Sequence, residues 1–206
     1  MTTIVAYQGE NYAVVGVDSR ISSMDEGGFA SQIMTLASGS SKVASNGKYL
    51  LGAAGDVRAI NILHHAFTPP PPTVGMKGKK LDQFMTVKFI PALRECFEKQ
   101  GYATSPESES AVHMAQHEST ILVVVNANIY VVDGDYSWAS DATGIYALGT
   151  GSAYALGAMH SMIGKDNKSL TPLQAKRYIT KALNIAAKFD PYTGSPFQTY
   201  VQEFDE

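Results

Sequence analysis

The sequence has one cysteine, Cys96, no excess of basic residues and no long apolar run. A single cysteine excludes an internal disulfide and is typical of proteins kept in a reducing compartment. The formal net charge of −3 argues against nucleic acid as a partner, since nucleic-acid binding usually leaves a basic patch. The apolar runs are strand-sized, and no basic segment precedes an apolar one at the start, so neither a membrane span nor a signal peptide is predicted. We therefore expect a cytoplasmic protein.

The residues that are present suffice for one large core. Hydrophobic residues make up 45% of the 206 positions, and no internal repeat divides the chain, so we expect a single domain over residues 1–206. The pattern begins with two β-branched and aromatic runs, residues 2–7 and 12–17, which predict a hairpin. Asn46-Gly47 favours a primed turn and predicts a second hairpin within residues 42–54.

Helical periodicity follows the first block of strands. An apolar stripe predicts a helix over residues 56–67, which Thr68 and four consecutive prolines end. A second helix is expected over residues 81–100, disturbed at Pro91. Further strands are expected at 119–125, 129–132, 136–139, 145–148 and 197–204, and further helices at 152–163 and 171–189, the last opening with a capping box between Thr171 and Gln174.

This order of elements predicts an α+β fold. Strands come in blocks that suit antiparallel pairing, and helices come in pairs, which argues against a doubly wound parallel sheet. Two antiparallel sheets packed face to face, each covered on its outer side by a helix pair, would bury every apolar stripe. We therefore predict a four-layer αββα sandwich.

Two histidines four residues apart, His113 and His117, have the spacing of ligands on one face of a helix. Neither an HExxH motif nor a third ligand accompanies them. We therefore expect no metal, and nothing in the sequence implies a cofactor.

The opening of the chain carries a family resemblance. Residues 1–3, Met-Thr-Thr, then the hairpin and residues 16–20, Gly-Val-Asp-Ser-Arg, resemble the start of proteasome β subunits and of the bacterial HslV-type peptidase. The resemblance implies the fold of the N-terminal-nucleophile (Ntn) hydrolases. It also implies that Thr2, once it is the first residue, is the nucleophile and that its own α-amine is the base. An α-amine with an ordinary pKa of about 7.7–8.0 can accept the hydroxyl proton near neutral pH.

Two further segments, residues 41–43 and 49–55, match the family's lysine and the strand that follows it. The resemblance makes Lys42 the catalytic lysine, whose ammonium lowers the pKa of the threonine amine, and makes Asp18 the carboxylate that pairs with it. It places the backbone N–H of Gly55 in the oxyanion hole, just ahead of a helix N-terminus.

Two later turns complete the resemblance. Residues 149–157 resemble the family's Gly-Ser-Gly-Ser turn, with Thr150 supplying the hydroxyl near the threonine amine. Residues 187–194 resemble the loop after the fourth helix and carry over Asp190 and Thr193.

The chain also departs from the family pattern. Lys42 lies further from the start than is usual, which predicts an insertion within residues 22–40. Asp56 directly follows the oxyanion glycine, and its carboxylate would turn away from a developing anion if it capped the next helix.

Matched positions place Ile21, Ala53 and Val57 in an apolar substrate-binding pocket. The resemblance implies a threonine peptidase within a closed homo-oligomeric ring, fed by an ATP-driven unfoldase and acting on proteins or peptides. One alternative is a non-catalytic ring or assembly component, because retention of Met1 would leave Thr2 without a free amine. An amidase acting on a small molecule would use the same Thr2 chemistry and is the other alternative.

Overall fold

The computed structural model describes residues 1–24, 30–103, 116–164 and 170–204. Within these ranges the strands form two antiparallel sheets and a separate two-stranded ribbon. The strands are β1 (Thr3–Gln8), β2 (Tyr12–Val17), β3 (Arg20–Met24), β4 (Ala30–Thr35), β5 (Val43–Asn46), β6 (Tyr49–Ala54), β7 (Thr120–Val125), β8 (Asn128–Val132), β9 (Trp138–Ala139), β10 (Ile145–Gly149) and β11 (Gln198–Glu203). The helices are α1 (Val57–His65), α2 (Lys79–Phe84), α3 (Ile90–Lys99), α4 (Ser152–Ile163) and α5 (Pro172–Phe189).

Both sheets are antiparallel throughout. The first has the order β10-β1-β2-β11, and the second has the order β5-β6-β7-β8-β9. In the first sheet Thr3 pairs with Gly149, so the start of the chain lies directly beside the turn between β10 and α4. This pairing brings two segments together that are far apart in sequence.

Apolar side chains separate the structure into layers. A core between the sheets contains Ile4 and Val15 from the first sheet and Leu50 and Leu122 from the second. The outer face of the second sheet is covered by α1, α2 and α3, and that of the first sheet by α4 and α5. The predicted αββα sandwich is therefore confirmed.

The second helical region is interrupted, although not at the proline itself. One turn of π-helix, Met85–Phe89, separates α2 from α3. Pro91 lies at the start of α3 and has no N–H to donate to the carbonyl of Val87, four residues earlier. In a regular α-helix its ring would also clash with that carbonyl. The π turn directly before Pro91 replaces the regular α-helical register at this point.

Other expectations differ in detail from the structure. The β3–β4 ribbon was not anticipated, and it occupies the region where the insertion was predicted. The strand predicted from Tyr136 begins only at Trp138, because Tyr136 has a φ of +65° and is not extended. His113 lies outside the described residues, so the histidine pair is not tested. Within the described ranges, no helix is long and apolar enough to cross a membrane.

Candidate active site

A buried ion pair forms the centre of the candidate site. The Lys42 Nζ atom, just ahead of β5, lies 2.7 Å from Asp18 Oδ1, and the two side chains are 1% and 0% exposed. The ammonium also donates to the carbonyl oxygen of Met1, at 3.0 Å, and to that of Arg20. Burial lowers the pKa of Lys42, and the Asp18 carboxylate opposes that shift. The ammonium is therefore fully engaged and is held against the peptide group that joins Met1 to Thr2.

Asp18 connects three parts of the chain. Its Oδ1 atom accepts a hydrogen bond from the Thr3 N–H at 2.9 Å, in addition to that from the lysine. Its Oδ2 atom accepts from the N–H groups of Arg20 and Gly194, each at 3.1 Å. The Arg20 guanidinium donates in turn to Pro191 O at 2.5 Å. These contacts fix the start of β1 against the β2–β3 corner and the loop after α5.

Thr2 lies between the groups that the sequence assigned to the site. It is 3% exposed and directly precedes β1. Its carbonyl oxygen accepts a hydrogen bond from the Thr150 N–H at 3.0 Å. The peptide groups on its two sides are bound by Lys42 and Asp18 respectively, so the backbone at Thr2 is fixed from three directions.

Strand alternation determines where the first two threonine side chains lie. In β1 the side chain of Ile4 packs in the core between the sheets, while that of Val5 packs against α4 and α5. Because the side-chain period of a strand is two, Thr2 shares the side of Ile4, towards Lys42, and Thr3 shares the opposite side. No described residue hydrogen-bonds the Thr2 hydroxyl.

A network of hydroxyl groups surrounds one carboxylate beside Thr2. Thr150 Oγ1 and Thr193 Oγ1 both donate to Asp190 Oδ2, at 2.7 and 2.6 Å. Thr193 Oγ1 also lies 2.5 Å from Thr3 Oγ1, which accepts a hydrogen bond from the Gly151 N–H at 3.1 Å. Asp190 and Thr193 are 5% and 1% exposed. Thr150, Asp190 and Thr193 therefore meet at one carboxylate oxygen atom, although Thr150 precedes α4 and the other two residues follow α5.

Glycine is required at both ends of the Thr150 turn. A Cβ atom on Gly149, whose φ is +89°, would lie 1.7 Å from Thr2 O. A Cβ atom on Gly151 would lie 2.5 Å from Thr3 Oγ1 and 2.6 Å from Thr193 Oγ1. The close packing of the turn against the first residues of the chain depends on these two missing side chains.

Gly55 forms the corner between β6 and α1. Its φ is +134°, and no described group accepts a hydrogen bond from its backbone N–H. Asp56 is the N-cap of α1, and its Oδ1 atom accepts from the Arg58 N–H at 2.8 Å. The carboxylate is thus turned into the helix, as expected, and the positive end of the helix lies next to the Gly55 N–H.

A cleft of about 180 Å³ adjoins Lys42. Ile21 and Val57 line it, as predicted for a substrate pocket, whereas Ala53 is fully buried against α1 and is not among the lining residues. The role of Ala53 therefore stays a prediction without support from the shape of the cleft. A larger depression of about 320 Å³ lies around Lys48 and, like the cleft, is open to solvent, but it contains no predicted catalytic residue.

Several residues of the site were missed from the sequence. Thr3, Arg20 and Gly194 each donate a backbone N–H to the Asp18 carboxylate, although the sequence assigned no role to any of them. The only signal was proximity in sequence, since Thr3 follows Thr2, Arg20 closes the Asp18 motif and Gly194 follows Thr193.

The electrostatic environment at the start of the chain favours the neutral form of the Met1 amine. The Met1 amine donates weakly to Ser22 O, at 3.4 Å. Burial lowers the pKa of this amine, and the neighbouring Lys42 ammonium lowers it further, while Asp18 and Asp190 act in the opposite direction. A base with a lowered pKa is in its proton-accepting form near neutral pH.

The sequence as a whole is similar to curated peptidase subunits. The chain is 25% identical to the ATP-dependent protease subunit HslV of Campylobacter lari over 207 aligned positions, which cover 100% of this chain and 98% of the relative. It is also 25% identical to HslV of Campylobacter jejuni, with 98% and 96% coverage. The resemblance to the HslV-type family is confirmed. No family model matches the sequence.

Solved structures extend the likeness to the fold. The HslV-like chain superposes on Thiobacillus denitrificans BPH in complex with epoxomicin with a TM-score of 0.73, at 19% identity and with all of both chains covered. Eukaryotic HslV from Trypanosoma brucei gives a TM-score of 0.58 at 18% identity, with 98% and 99% coverage. The fold is therefore the proteasome-like fold of the Ntn hydrolases.

Proposed function

We propose that this HslV-like chain is a threonine-type peptidase subunit in which Thr2, after removal of Met1, is the nucleophile. The observation that carries the proposal is the placement of Thr2. The Lys42–Asp18 pair binds the peptide groups on both sides of it, and Thr150 binds its carbonyl. Burying two charges costs free energy of desolvation. Here the buried Lys42–Asp18 pair binds the backbone on both sides of Thr2, whose hydroxyl has no hydrogen-bond partner among the described residues.

The reaction follows from these positions. The Thr2 hydroxyl attacks the substrate carbonyl carbon while its α-amine accepts the hydroxyl proton, and a C–O bond forms. The Gly55 N–H stabilises the oxyanion of the tetrahedral intermediate. The C–N bond then breaks, and the departing amine takes the proton from the Thr2 ammonium. Water, deprotonated by the same amine, hydrolyses the resulting ester and releases the second product.

Lys42 contributes through charge rather than through proton transfer. Its three N–H groups donate to a carboxylate and two carbonyl groups, which stabilise the protonated form, and an ammonium has no lone pair with which to act as a base. Its positive charge lowers the pKa of a nearby amine. Asp190 accepts hydrogen bonds from two threonine hydroxyls and so holds the turn whose Thr150 N–H binds the Thr2 carbonyl.

The environment of the subunit is part of the proposal. We expect a homo-oligomeric ring in the cytoplasm, with an ATP-dependent unfoldase as partner and unfolded protein as substrate. Support comes from the HslV relatives, which are named subunits of an ATP-dependent protease. An exposed apolar patch also supports assembly, because Tyr154 and Phe189 stack on each other at 45% and 63% exposure.

Replacement of the nucleophile tests the peptidase proposal. Thr2→Ala should abolish hydrolysis of fluorogenic peptides, because it removes the bond-forming oxygen, while Thr2→Ser should keep part of the activity. Thr68→Ala, on an exposed loop, is the matched control and should behave as wild type. Turnover in Thr2→Ala equal to that of wild type would refute the proposal. Cleavage of small amides in preference to every peptide would favour the amidase alternative.

A further inference from the structure

The Gly55 corner rests directly on the start of β7. A Cβ atom on Gly55 would lie 2.5 Å from Glu118 O and 2.7 Å from Ser119 Oγ, so the backbone is in contact with this segment. Ala54, on one side of Gly55, pairs with Thr120 in the β6–β7 ladder. The corner therefore depends on β7 for its position as well as on its own conformation.

A side chain of the same segment anchors the other side of the corner. Ser119 Oγ accepts a hydrogen bond from the Asp56 N–H at 3.1 Å and lies 2.7 Å from the Tyr102 hydroxyl. Ser119 is 3% exposed, so water does not compete freely for its hydroxyl. The peptide group after Gly55 is thus held by a hydroxyl, while the residue before it is held by the strand ladder. Glycine has no side chain of its own to restrain φ and ψ between these two points.

The backbone of Ser119 is fixed in turn. Its N–H donates to His117 Nδ1 at 3.3 Å, and the N–H of His117 donates to Gly134 O at 2.9 Å. Burial lowers the pKa of His117, which keeps the ring neutral and its Nδ1 atom able to accept. The His117 ring also packs against Tyr102, with centroids 6.2 Å apart, so both partners of Ser119 belong to one aromatic cluster.

We propose that Ser119, supported by the Tyr102 hydroxyl, is a positioning residue that orients the Gly55 N–H towards the oxyanion. This inference rests on the proposed peptidase function. Loss of the Ser119 hydroxyl frees the Asp56 N–H and lets the corner rotate. Ser119 is not among the residues that line the cleft beside Lys42, so we expect a smaller effect on KM than on kcat.

Steady-state kinetics of the assembled, Met1-free protein test the inference. Direct loss of an oxyanion donor costs about 10²–10³ in kcat, so its misorientation in Ser119→Ala should lower kcat by about tenfold with KM unchanged. The affinity of a peptide aldehyde, which binds as a tetrahedral oxyanion, should fall by the same factor. The affinity of the corresponding unreactive peptide alcohol should not change.

Two tyrosines provide a second variant and its matched control. Tyr102→Phe removes only the hydroxyl that contacts Ser119 and should lower kcat in the same direction by a smaller factor. Tyr136→Phe removes a buried hydroxyl from the same aromatic cluster that has no partner among the described residues, and it should leave kcat unchanged.

The possible results separate this inference from the proposed function. If the wild type is active and both Ser119→Ala and Tyr102→Phe keep its kcat, the positioning role of Ser119 is refuted and the proposed function stands. A rise in KM without a fall in kcat, or an equal loss in Tyr136→Phe, would also overturn it. Wild type that is inert after Met1 removal, like Thr2→Ala, would overturn both.

Discussion

Replacement of Lys42 by methionine perturbs the centre of the site with little change in side-chain length. It removes one partner of a buried ion pair whose atoms are 2.7 Å apart. Breaking such a pair usually costs about 3–5 kcal/mol, because the remaining charge is left without compensation. Asp18 keeps backbone N–H donors from Thr3, Arg20 and Gly194, so we expect a loss at the lower end, about 3 kcal/mol.

Activity should fall as well as stability. Without the ammonium, the Thr2 amine loses a neighbour that lowers its pKa, so its pKa rises and less of it is unprotonated near neutral pH. The Met1–Thr2 backbone also loses an anchor. Since a positioned base contributes about 10²–10⁴-fold, kcat/KM should fall by about 10²-fold or more, with partial recovery at higher pH.

Denaturant unfolding and fluorogenic peptide hydrolysis on the same preparation measure both effects. Lys48→Met is the control, because Lys48 is an exposed residue of the β5–β6 turn, and it should change stability by less than about 0.5 kcal/mol. Wild-type turnover in Lys42→Met would refute the reasoning, since it would show that the wrong lysine has been assigned across the insertion.

Further predictions concern pH, assembly and the hydroxyl network. The acid limb of kcat/KM should have its midpoint below the ordinary amine value of about 8, because burial and Lys42 both lower the pKa of the Met1 amine and Lys42 also binds the peptide group that joins Met1 to Thr2; a midpoint above 8 would contradict this. Light scattering should give a particle far heavier than one 22.1 kDa chain, and a monomer at micromolar concentration would count against the ring. Thr193→Val should cost about 1.5–3 kcal/mol in unfolding free energy, because it removes a buried hydrogen bond to the Asp190 carboxylate, and an unchanged stability would refute the importance of that bond.

Local patterns in the sequence were sufficient for most of the fold. Residues 2–7 and 12–17 are nearly continuous β-branched and aromatic runs, and both strands are buried on both faces of their sheet. The capping box at Thr171 forms as predicted, because its partners are three residues apart and depend on no tertiary contact. The π turn could not be anticipated in the same way, since the proline defines the clash but not the backbone rearrangement that avoids it.

The residues of the candidate site also differ in whether a local sequence pattern could identify them. Motif positions such as Asp18 and Lys42 could be assigned by resemblance, and the structure brings them together. Ser119 could not, because its contact with Asp56 spans 63 positions and a single serine at the start of a strand has no distinctive pattern. Thr3 was missed for another reason, since strand alternation places its side chain on the side opposite that of Thr2, where its hydroxyl meets that of Thr193.

The most direct test of the central claim is the mass of the intact chain before and after reaction with a peptide epoxyketone. Removal of Met1 is expected because methionine aminopeptidase acts when the next side chain is small, as in Thr2. The account predicts a chain lacking one methionine that gains one inhibitor molecule, mapped to residue 2, and no gain in Thr2→Ala. A chain that keeps Met1 in every molecule and gains no inhibitor would contradict the peptidase account and favour a non-catalytic ring component.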